Sequence, residues 1–68
     1  MTPTQLRERY GADVRRVGLR STFEVLIRGA ALPSDADLVA MCWGRSGVVR
    51  NQGTAPGGAR IYLVTVTR

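Results

Sequence analysis

Ser21-Thr22-Phe23-Glu24-Val25-Leu26-Ile27-Arg28-Gly29-Ala30-Ala31 is the stretch whose conformation decides the fold. As a helix it has Ser21 at the cap and Glu24 three residues later. Phe23, Leu26, Ile27 and Ala30 or Ala31 then fall at helical spacing. As a strand it has Phe23, Val25 and Ile27 alternating inward, with Glu24 and Arg28 outward, in a run rich in strand formers. The helix is the preferred reading and the strand its alternative, because periodicity alone does not settle a short apolar run.

On the N-terminal side, Thr2-Pro3-Thr4-Gln5 is a helix start. Thr2 can cap, Pro3 suits the first turn, and Gln5 completes a capping box. Leu6 and Tyr10 share a face one turn apart, with Arg7, Glu8 and Arg9 on the wet side. Gly11 is the expected stop, followed by an extended or irregular segment from Asp13 to Arg20. On the C-terminal side, Leu32-Pro33-Ser34 breaks the chain, and Ser34 with Asp35 and Asp37 opens another helix, the acids complementing its dipole. Leu38, Met41 and Cys42 lie on one face, with Val39 and Trp43 beside them, and Gly44 and Gly47 are expected to end the element.

Val48-Val49-Arg50-Asn51 and Arg60 to Thr67 read as a β-hairpin, since β-branched and aromatic residues suit a pleated surface. The connector Gln52 to Ala59 is too long for a two-residue turn. Ile61, Leu63 and Thr65 share one face and Tyr62, Val64 and Val66 the other, so both faces carry apolar bulk. One can cover the core; the other needs a third strand, a partner chain or a target. The expected fold is a single α+β domain over residues 1–68, with two or three short helices and a C-terminal hairpin. The alternative is an antiparallel sheet of three or four strands with one or two helices.

With 68 residues the core is small, and only ~60% of the unfolded surface can be buried. The single cysteine, Cys42, permits no internal disulfide, which points to a reducing cytosol. The N-terminus lacks a signal-peptide pattern, and no apolar run approaches the ~20 residues that span a bilayer, so a soluble, cytoplasmic protein is expected. The formal net charge is +5, and every basic residue is arginine. Arginine forks bind phosphate bidentately, although a GC-rich genome would favour arginine as well. Residues 1–20 carry a net +3, residues 21–44 a net −2 and residues 45–68 a net +4, so the ends are basic and the middle acidic.

The run Gly47-Val48-Val49-Arg50, followed after a glycine-rich tip by Gly58-Ala59-Arg60-Ile61-Tyr62-Leu63-Val64-Thr65, resembles the wing of a winged helix-turn-helix DNA-binding domain. The resemblance covers the second half of the chain, and the first half only if residues 21–31 are helical. It implies a recognition helix from Asp35 to Trp43 and a wing from Asn51 to Arg60. Arg50 and Arg60 would then clamp phosphates. The chain departs from the family at the reading helix, which begins with two aspartates and offers no base-reading side chain before Arg45. A winged-helix scaffold turned to protein binding fits that acidic helix equally well.

No residue set points to catalysis. Cys42 has no histidine to activate it and reads as a buried thiol, and one Cys without His excludes a zinc site. Asp35 and Asp37, two apart on a helix, diverge and read as capping charge. The Gly53–Gly58 loop precedes a strand in a chain without lysine, unlike a P-loop, so no cofactor is implied. The expectation is a small basic non-catalytic regulator engaging nucleic acid or a nucleoprotein complex through Arg15, Arg16, Arg20, Arg45, Arg50 and Arg60. The alternative is a protein-binding inhibitor or regulator, of the kind encoded by phages and mobile elements against host defence complexes such as CRISPR. It would use Trp43, Tyr62 and the loop tip, or form a homodimer through the exposed hairpin face.

Overall fold

The computed structural model describes residues 2–18 and 21–67. Helix α1 (Pro3–Tyr10) begins as its capping box predicts. Gln5 N–H donates to Thr2 Oγ1 at 3.2 Å, and Thr2 N–H donates to Gln5 Oε1 at 2.9 Å. Gly11, left-handed with φ 60°, ends it. Strands β1 (Ala12–Arg16) and β2 (Thr22–Ile27) come next, then helix α2 (Asp35–Met41), and strands β3 (Ser46–Thr54) and β4 (Arg60–Thr67). The four strands form one antiparallel sheet in the order β1-β2-β4-β3. This is the sheet-and-helices alternative of the α+β expectation.

The decisive stretch is therefore a strand, which corrects the helical reading of residues 21–31. Phe23, Val25 and Ile27 are buried while Thr22, Glu24 and Leu26 between them are only partly covered. That period of two places the three buried apolar groups on one face. A helix would have spread them over more than half its circumference. β2 also sits between β1 and β4, so its backbone is paired on both sides, and this tertiary pairing overrides a local capping signal. The stretch that the winged-helix resemblance takes as helical, residues 21–31, thus holds β2.

Phe23, Val25 and Ile27 of β2 line up with Val64, Tyr62 and Arg60 of β4, so the buried residues of the central strands lie on one face. Leu6 and Tyr10 of α1 and Leu38, Val39 and Met41 of α2 close over that face, with Cys42 beside them. Burial of each such side chain contributes about 1.5–3 kcal/mol. The opposite face carries Leu26, Ile61 and Leu63, half-buried, with Thr65 and Val48 exposed, and both helices leave it open.

The hairpin is longer than its sequence suggests. β3 runs on to Thr54 across a bulge between Asn51 and Gly53, and the tip shrinks to Ala55–Ala59, closed by Ala55 N–H to Ala59 O at 2.7 Å. The end of α2 also differs from expectation. Trp43 N–H donates to Ala40 O and Gly44 N–H to Val39 O, a Schellman cap, and the left-handed position belongs to Trp43 (φ 57°). Gly44 serves close packing instead, since a Cβ there would lie 2.5 Å from Val66 Cβ.

Candidate functional site

The arginines do not converge. Arg15 on β1 is paired across the open face to Glu24 at 3.0 Å, directly opposite in the register. Arg50 on β3 faces Leu63, so Arg15, Glu24, Leu63 and Arg50 form one row that sets the two arginines about 14 Å apart, three strand spacings. Arg16 is exposed on the other face of the β1 edge. Arg45 lies where β3 begins, its N–H donating to Thr67 O, at the end of the β3–β4 ladder opposite to Arg60. Arg60 is partly buried and structural: its Nη2 donates to Gly29 O and Ala31 O, each at 2.9 Å, and ties down the connection after β2. Arg28 is paired with Asp13. Arg20 lies outside the described residues.

Of the two residues expected to contact protein, Tyr62 is in the core at 9% exposure, opposite Val25. Trp43 is on the surface at 53% exposure. Its left-handed backbone costs a residue with a Cβ roughly 1–2 kcal/mol relative to the right-handed region. Arg7, on the last turn of α1, reaches across the helix pair. Its Nη2 donates to Met41 O at 3.3 Å, capping the end of α2, and its guanidinium lies 4.0 Å from the centroid of the indole ring. One indole face is thus covered by a cation, an arrangement worth about 0.5–1 kcal/mol at an exposed site. Arg7 was not legible as a site residue, because its role depends on α1 and α2 meeting.

Beside this end of α2, a cleft of about 360 Å³ opens at the outer edge of β3, with Ala36, Val39 and Ala40 on the helix side, Gly44 and Gly47 on the strand side, and Asp35 and Arg45 at its rim. Gly47 is required there, since a Cβ would meet Thr65 O at 2.4 Å and Val39 Cγ2 at 3.2 Å. Val48 on the same strand is 67% exposed.

The groups able to do chemistry are otherwise engaged. Cys42 is fully buried, and burial pushes its thiol up to about 11 against a smaller opposing pull from Arg7, so it stays protonated and unreactive at neutral pH. Asp37 N–H donates to Ser34 Oγ at 3.1 Å, and the Asp37 carboxylate accepts from Tyr10 Oη at 2.6 Å. That hydrogen bond is the first cause of a raised Tyr10 pKa, burial and the Asp37 charge adding to it. Among the described residues no group of three or more His, Cys, Asp and Glu is placed to hold a metal ion, and no helix is long and apolar enough to cross a membrane. Comparison with known protein families, curated proteins and solved structures returns no match to this chain.

Proposed function

We propose that this protein is a small non-catalytic regulator that binds another protein, with Trp43 as the anchor of the contact. The observation that carries the reading is the state of that side chain. The one tryptophan sits half out of the core on a left-handed backbone, a conformation that strains any residue with a Cβ. Strain of this kind persists where the surroundings hold it, and it concentrates at binding sites. Arg7 holds the ring from one side, so an incoming surface meets a pre-ordered aromatic and loses little rotamer entropy. The dispersal of the arginines, with Arg15 ion-paired and Arg60 tied to backbone carbonyls, counts against a phosphate-tracking groove.

The test is partner capture by wild-type and Trp43→Gly proteins, with a titration against mixed-sequence DNA and RNA at two salt concentrations. Glycine removes the ring while relieving the strain, so the variant is expected to fold within about 1 kcal/mol of wild type. A partner held by wild type and released by Trp43→Gly supports the reading. Equal capture by both proteins, or tight nucleic-acid binding that collapses with salt, overturns it.

A further inference from the structure

The ladder phase fixes which backbone groups β3 turns outward. Val66 N–H donates to Ser21 O at 2.8 Å, so Val66, Val64 and Tyr62 direct their N–H and C=O groups toward β2, and Thr65 and Leu63 direct theirs toward β3. Their partners Val48 and Arg50 turn inward. Gly47 and Val49 are left with N–H and C=O pointing away from the sheet. The strand is regular only between Ser46 and Asn51, because the bulge at Asn51/Gly53 bends the remainder of β3. The centre of its first five residues is Val48.

We infer that the chain self-associates by antiparallel pairing of β3 with β3 of a second copy, about a two-fold axis at Val48. The sequence is self-complementary in that register. Of the outward residues Gly47, Val49 and Asn51, Gly47 meets Val49 of the second copy and Val49 meets its Gly47, so these two exchange hydrogen bonds at the centre of the pairing, while Asn51 lies at its end beside the bulge. On the open face Val48 meets Val48 in the closer, non-hydrogen-bonded kind of pair, covering the most exposed valine of the molecule. On the helix face, Val49 of the second copy comes to lie beside Gly47, at the cleft lined by Ala36, Val39 and Ala40, and the symmetric contact repeats this. Arg50 faces Ser46, so no like charges oppose. Moving the axis to Val49 would set Val48 against Arg50 of the second copy, replacing the valine pair with a charge, and would run Ser46 into the bulge.

An edge this short buries little surface, so weak association is expected, with a dissociation constant of about micromolar order or higher. Each copy carries +5, so repulsion opposes the dimer and salt should strengthen it, the reverse of phosphate binding. The inference is independent of the role given to Trp43.

Sedimentation velocity of wild-type and Val48→Lys proteins at low and high salt tests it, with amide exchange at Gly47 and Val49 as the second measurement. The expected result is a wild-type dimer favoured by salt and weakened at least about tenfold by two opposed lysines. The Gly47 and Val49 amides should become protected as wild-type concentration rises and stay fast-exchanging in the variant. Val48 is already exposed in the single chain, so the variant should fold. A wild type that stays monomeric at high salt and high concentration, a dimer indifferent to Val48→Lys, or Gly47 and Val49 amides that exchange equally fast at all concentrations overturns the inference.

Discussion

The sheet has two free edges, and they are built differently. β1 is five residues long and carries Asp13, Arg15 and Arg16; Asp13 is paired with Arg28 and Arg15 with Glu24. β3 is nine residues long and has a single charge, Arg50, with Val48 exposed beside it. Charge, shortness and side-chain pairing are the devices that keep an edge strand from recruiting another strand. β1 uses them, and β3 has only a bulge near its far end. The contrast teaches that solvent exposure alone does not make an edge available, because what matters is whether an incoming strand would meet charge or apolar surface.

The largest test of this contrast is Gly47→Ala. Its Cβ would lie 2.4 Å from the Thr65 carbonyl, a backbone atom that cannot rotate away, so β3 must lift from β4. A loss of about 3 kcal/mol in urea unfolding is expected. Arg16→Ala on the β1 edge should stay within about 0.5 kcal/mol.

The next effect separates Arg60, beside the hairpin tip, from Arg50, further down β3. Arg60→Ala removes two charged hydrogen bonds to Gly29 O and Ala31 O and is expected to cost about 2 kcal/mol. Arg50→Ala, on the exposed edge, should change stability by less than about 0.5 kcal/mol.

Alkaline pH acts on the helix layer rather than on either edge. Burial raises Cys42 from 9.0 to about 11, and the Asp37 hydrogen bond raises Tyr10 above 10.0. Between those values the unfolded chain gives up protons that the folded chain keeps, so deprotonation favours unfolding. Stability from these groups is whole below pH 9.0, the ordinary Cys value, and falls as pH climbs toward about 11. Denaturation midpoints measured across that range should decline, and Cys42→Ala should flatten the first part of the decline. The smallest effect is expected at the β1 ion pair. Asp13→Asn removes an exposed partner of Arg28 and should shift stability by no more than about 0.5 kcal/mol, with a smaller shift in high salt.

Much of the local structure was legible. Thr2 with Gln5, Gly11, and Ser34 with Asp37 mark their helix ends through hydrogen bonds between neighbours, and those bonds form in the structure. The two faces of β4 are set by its alternation, with Tyr62, Val64 and Val66 inward. Residues 21–31 carry both signals, because a cap and a helical spacing can be written into the same letters as a strand. Only the pairing of Thr22–Ile27 with strands on both sides decides between them. The candidate site was half legible: Trp43 stood out as the one tryptophan, but nothing local marked it as exposed or placed Arg7 against it.

The sequence by itself determined the charge, the absence of an internal disulfide, the Thr2 and Ser34 N-caps with the Gly11 stop, and the strand character of the C-terminal hairpin, because each depends on composition or on contacts within a few residues. The tertiary structure alone decided that β2 is a central strand, that Arg60 is a structural tie, and that Trp43 takes the left-handed position while Gly44 and Gly47 admit close packing. It also decided that β3 is left at an edge. These depend on contacts between segments far apart in the chain, whose free energy no local pattern encodes.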